Sequence, residues 1–184
     1  MMLLQILLAL GAHAAASEPK AVVQEIFQKA GVAEVATDAS KQAEVSTYVD
    51  FDALARSALG KQKPSAEEFA WFRDTLKEII ARTVYPKAPD FLSGVKINYN
   101  AVDTKGKSST VKSTVQNKAD LTDVDYKLSD EGEKGWKVVD VSISGQSWVE
   151  SIRDEVGKVI KKSKWAGLKQ KMNKRLNELK AGRA

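Results

Sequence analysis

From Val95 to Ile143 the hydrophobic period of this chain is two, whereas on either side it is three and four. No other feature restricts the fold as much, because a period near 3.6 buries one side of a helix and a period of two buries one side of a strand. Val95, Ile97 and Tyr99 alternate with Lys96, Asn98 and Asn100. After the Asp103-Thr104-Lys105-Gly106 turn, Val111 and Val115 point away from Lys112, Thr114 and Gln116. Val124, Tyr126 and Leu128 share one side of the next run, and beyond the polar turn 130–135 Val139, Val141 and Ile143 mark an inner face. Strands joined by short polar turns predict a twisted antiparallel sheet of four or more strands with one buried face.

The flanking segments read as helices. Pro19 suits a first helical turn, and Val22, Val23, Ile26 and Phe27 form a stripe that stops near Gly31. A weaker helix runs from Asp38 toward Tyr48, and Asp50 caps a short one carrying Phe51, Leu54, Ala55 and Ala58 up to Gly60. Ser65-Ala66-Glu67-Glu68 is a capping box ahead of Phe69, Phe72, Leu76, Ile79, Ile80 and Thr83, with Pro86 and Pro89 as the stop. Ser147-Trp148-Val149-Glu150 opens another helix, with Val149, Ile152, Val156, Val159 and Ile160 on one side. A last helix carries Trp165, Leu168, Met172, Leu176 and Leu179. Helices, then strands, then helices, with no internal repeat or linker, describe one α+β domain over 17–184.

Met1 to Leu10 is an apolar run, followed by Ala12-His13-Ala14 and Ala14-Ala15-Ala16, which match the small-x-small cleavage pattern. The run is too short to span a bilayer, which takes about 20 helical residues. Residues 1–16 are therefore expected to be an export signal. Beyond His13 there is no histidine, and there is no cysteine at all. The exported chain thus lacks the two side chains that most often serve as nucleophile, proton shuttle or metal ligand. The net charge of +5 is uneven: the segment 156–184 carries +9 and the remainder −4. Such asymmetry suits an anionic partner, a membrane surface or an acidic protein, and equally a solvated helix face.

Composition alone stops at an exported α+β domain. The segment 48–60, Tyr-Val-Asp-Phe-Asp-Ala-Leu-Ala-Arg-Ser-Ala-Leu-Gly, resembles the Asp-Phe…Ala…Leu-Gly segment of the MlaC family, the periplasmic phospholipid carriers also called toluene-tolerance proteins. The resemblance continues through 72–80 and Thr83-Val84-Tyr85, then Gly135 to Ser147, Arg153 and Gly167-Leu168. The chain departs from it at Gln62 and Gln146, where the family commonly has Trp and an apolar residue, and near Val156, where it lacks the usual aromatic.

The resemblance implies a cone-like fold, with the sheet curled against helices around an apolar cavity for acyl chains. It implies a monomeric periplasmic carrier with bound phospholipid as cargo and no cofactor. Its partners would be an inner-membrane ABC transporter complex and an outer-membrane lipoprotein–porin complex, its task the maintenance of outer-membrane lipid asymmetry. At about 0.8 kcal/mol per methylene, two sixteen-carbon chains cost on the order of 20–25 kcal/mol to place in water, so lipid needs a carrier to cross an aqueous compartment. The expected cavity lining is Phe69, Phe72, Leu76, Ile79, Ile80, Val95, Ile97, Tyr99, Val139, Val141, Ile143, Ile152 and Val156, all of which equally suit an ordinary core. Tyr85 is expected at the mouth with a wet hydroxyl. Lys169, Lys171, Lys174 and Arg175 are the expected docking cations, and Arg153 is expected to fix its helix on the sheet through Asp50 or Asp140.

Two alternatives stand beside the carrier. One is a cone-shaped enzyme of the isomerase kind, with Asp140 or Asp125 as its acid, although Asp140 alternates away from the apolar face. The other is an exported binder of apolar ligands unrelated to lipid transport. Asp120, Asp123 and Asp125 lack the Gly and Glu that a calcium loop needs and read as a polar strand edge, and export argues against nucleic acid as the partner of the basic end.

Overall fold

The computed structural model of the chain describes residues 18–182; the expected export signal lies outside the described residues. Within the described residues six helices and five strands keep the anticipated succession of helices, sheet and C-terminal helix, with α5 the unexpected addition. Helix α1 (Pro19–Ala30) begins on its proline and ends at Gly31, α2 (Ala39–Ser46) is capped by the Asp38 carboxylate, and α3 (Phe51–Leu59) by that of Asp50. Helix α4 (Ala66–Val84) starts in a complete capping box, in which the Ser65 hydroxyl accepts the Glu68 N–H and the Glu68 carboxylate accepts the Ser65 N–H. Such caps each contribute about 1 kcal/mol and set where the helix begins.

Helix α4 ends ahead of Pro86 and Pro89 as expected, but the chain stays helical beyond them. Val84 passes into a 3-10 turn (Tyr85–Lys87) and then into α5 (Ala88–Ser93), each proline lying in the first turn of its own element. A proline there lacks only an N–H that has no helical partner anyway, so it redirects the chain without stopping it.

The sheet is an open antiparallel meander in the order β1 (Val95–Lys105), β2 (Ser108–Asn117), β3 (Asp120–Asp130), β4 (Trp136–Ile143) and β5 (Gln146–Ser147). The fifth strand, two residues long, pairs with Ser142 and Ile143. Strand β1 runs through Asp103–Lys105, which the alternation assigns to a turn. Beyond Ser109, Val111, Ser113 and Val115 face inward on β2, and Val124, Tyr126 and Leu128 do so on β3.

Strand β4 departs from its expected facing. Tyr126 pairs with Val141, but Leu128 pairs with Val138, so Val139 is the extra residue of a bulge. The bulge shifts the inward phase: Val138 and Val141 join the apolar face, whereas Val139 lines a more polar recess with Ser57, Ser147 and Arg153. Ile143, at the strand end, is 53% exposed.

Helix α6 (Trp148–Lys180) is a helical hairpin in all but name. Lys164 interrupts it at φ 56° and ψ −170°. Lys171 and Glu155 are in contact at 3.5 Å although 16 residues apart, a distance of about 24 Å along a straight helix. The chain therefore doubles back at Lys164. Gly167 permits the tight return, since a Cβ there would lie 2.2 Å from that of Ser163.

Apolar packing is divided among three cores. Residues of α3, α4 and α6 pack around Phe72, which is wholly buried. Val22 and Val23 of α1 pack on the inner sheet face, and Ala30, Val35, Val45 and Tyr85 form a third cluster between α1, α2 and the end of α4.

Candidate functional site

Where the three cores meet, none of them fills the space. A cavity of about 450 Å³ opens there, bounded by Val23 and Tyr126 from the sheet core, Leu54 and Ile80 from the helix core, and Ala30 and Val45 from the third cluster. The volume lies in the range of pockets that enclose small organic ligands. Its rim carries apolar groups open to solvent: Val84, Phe91 at 54% exposure and Trp148 at 38%.

Two charged residues reach this cavity. Lys87, in the 3-10 turn, is exposed and enters no ion pair among the described residues. Asp140, 8% exposed, is fully engaged: one carboxylate oxygen accepts the Ser147 hydroxyl at 2.6 Å, the other the Val149 N–H at 3.1 Å. Ser147 in turn accepts the Glu150 N–H at 3.0 Å. The first turn of α6 is thus capped by a serine and an aspartate together, which ties the helix to β4.

Tyr85 lines the cavity but not its wet mouth. It is buried, its hydroxyl is 2.8 Å from that of Ser46, and burial pushes its pKa up. The turn that follows α4 points the ring inward, against the expectation of a solvated phenol. Tyr126, across the cavity, has its pKa pushed up to about 12 by burial, with Ser113 opposing.

The expected lining residues separate into groups. Ile80, Tyr85 and Val141 line the large cavity. Phe72, Leu76, Ile79, Ile152 and Val156 line a second cavity, of about 340 Å³, between α4 and the two arms of α6. Val95, Ile97 and Tyr99 cover the outer part of the sheet core, with Lys20 5.5 Å above the Tyr99 ring. Phe69 lies beneath the Arg56 guanidinium at 4.4 Å, and Val139 and Ile143 are turned elsewhere as described.

The α1 stripe, the Val49–Phe51 segment, Phe91, Leu92 and Trp148 were not among the expected lining. The α1 stripe is visible in sequence as an apolar face. Phe91 and Leu92 are masked by the proline pair, and Trp148 by its place directly after the helix cap Ser147.

Arg153 binds helix α3 and not the sheet. Its guanidinium donates to the Ser57 carbonyl at 2.7 Å and the Ser57 hydroxyl at 3.0 Å, and its stem crosses Gly60, where a Cβ would be 2.9 Å away. Of the expected docking cations, Lys171 pairs with Glu155, Lys174 lies 4.0 Å from Glu178, Lys169 sits over Trp71, and Arg175 edges the second cavity. Asp125 is opposite Lys112 on the outer sheet face, and Asp123 accepts the Thr114 hydroxyl at 3.1 Å. Among the described residues no three acids or histidines are grouped to hold a metal ion, and no buried polar side chain lacks a partner.

No curated protein matches the chain. Its fold is similar to that of a phospholipid-binding protein from Ralstonia solanacearum, solved in complex with a phospholipid: TM-score 0.70, 22% identity, over 87% of this chain and 95% of that one. The model of the MlaC protein family matches residues 19–174, from the start of α1 into the second arm of α6, and the chain belongs to that family.

Proposed function

We propose that this protein is a periplasmic phospholipid carrier. The observation that carries the reading is the apolar cavity at the junction of the three cores, with an exposed apolar rim and beside it Lys87, which enters no ion pair among the described residues. Acyl chains occupy the cavity, the glycerol lies between Val84, Phe91 and Trp148, and the phosphate meets Lys87 near water. Family membership and the phospholipid held by the Ralstonia protein support the same assignment. A carrier needs only an interior about as apolar as a bilayer, so that loading and unloading stay near balance. No covalent step is required, and Asp140 is occupied as a helix cap.

In this reading residues 1–16 direct export and 17–184 form the lipid-binding domain. The protein shuttles between an inner-membrane ABC transporter complex and an outer-membrane lipoprotein–porin complex, and the basic arm of α6 contributes to docking. Native mass spectrometry of the purified protein, followed by solvent extraction, tests the cargo. A phospholipid at near one per chain is expected; a stoichiometric non-lipid metabolite would favour the isomerase-like alternative instead.

A further inference from the structure

We infer that the cleft between α4 and the two arms of α6 is a second ligand site, for a single-chain anionic amphiphile such as a long-chain fatty acid. The inference rests on the proposed reading in one respect, that phospholipid fills the larger cavity. The reversal at Lys164 folds the second arm of α6 back over the first, and the space left between them, about 340 Å³, is walled by Phe72, Leu76, Ile79, Val156, Val159 and Met172. Such a wall offers an alkyl chain the burial it lacks in water, about 0.8 kcal/mol per methylene.

The chemistry of the mouth selects the head. Lys171, Arg175 and Glu155 edge the opening. Arg175 enters none of the ion pairs among the described residues. Lys171 meets Glu155 at 3.5 Å, but Glu155 also holds Lys158 at 3.2 Å, and all three side chains are exposed. A carboxylate can therefore take Lys171 and Arg175 together and leave Glu155 paired with Lys158. Arg in particular suits a two-oxygen acceptor.

Trp148 forms a wall of both cavities. It is common to the linings of the two cavities, and the smaller one has cations of its own at the entrance. That arrangement favours a separate one-chain ligand over extra chains of the lipid in the larger cavity.

The test uses the whole mature protein loaded with phospholipid and titrated with palmitate and with hexadecanol, below the concentrations at which either aggregates. One palmitate is expected per chain without loss of phospholipid. Val159→Trp, or Met172→Trp if the first fails to fold, should weaken palmitate about tenfold or more by filling the cleft while the phospholipid remains bound. Lys171→Glu with Arg175→Glu should weaken palmitate about tenfold and hexadecanol less than about twofold, since only the former carries charge. Three results would overturn the inference: palmitate displacing phospholipid one for one, Val159→Trp losing both ligands together, or the charge-reversed protein binding palmitate as tightly as the original.

Discussion

Asp140 shows how a residue with catalytic chemistry can be committed to structure. Alternation points it away from the apolar face, and the bulge at Val139 places it against Ser147 and the Val149 N–H. Asp140→Ala leaves both donors without an acceptor at a buried site, and should cost about 2 kcal/mol in urea unfolding. The tyrosines carry the alkaline behaviour of the fold. Burial raises the pKa of Tyr126 to about 12 and moves those of Tyr85 and Tyr99 the same way. Above the ordinary phenol value the unfolded chain loses these protons while the folded chain keeps them. For Tyr126 stability is therefore full below about pH 10 and falls as pH rises toward 12, by up to about 1.4 kcal/mol per unit, and Tyr85 and Tyr99 act in the same direction. Tyr126→Phe should make that decline shallower, measured as the urea midpoint at successive pH values.

At the scale of elements, caps and alternation carried most of the information. Asp38, Asp50, Ser65 and Ser147 all stand where their helices start. The misread places have physical reasons. Val138 and Val139 are successive valines, so β4 can be read in either phase, and only pairing with Tyr126 and Leu128 reveals the extra residue. Pro86 and Pro89 do close α4 but hide the short α5, because a helix interior excludes proline although a first turn does not. By contrast, the two helices expected on either side of 161–164 do part there, at Lys164, whose φ of 56° and extended ψ favour glycine. Lys164→Gly should therefore raise stability by about 1 kcal/mol, read from the urea midpoint, with the helical hairpin retained. An unchanged or lowered midpoint would mean that Lys164 is not strained.

For the whole molecule, periodicity told which residues face inward but not whether the inside is full. The apolar faces of α4, α6 and the sheet were legible, whereas the cavity arises from how three cores fail to merge, a matter of long-range packing. The same faces supply Ile80 to one cavity and Ile79 to another, a division no spacing could disclose. Charge also acts at this scale. The basic arm of α6 should make docking to acidic partners sensitive to salt, and reversing Lys169, Lys171, Lys174 and Arg175 together should weaken that docking severalfold at low ionic strength. Unchanged binding would remove the arm from the interface.

The most direct measurement is cross-linking with a phospholipid that carries a photoreactive group at the end of one acyl chain, followed by mapping of the labelled peptides. Labels on the inner faces of α1, α3 and α4, around Phe27, Leu54 and Ile80, are the predicted result. Labels confined to the exposed outer surface would contradict the account.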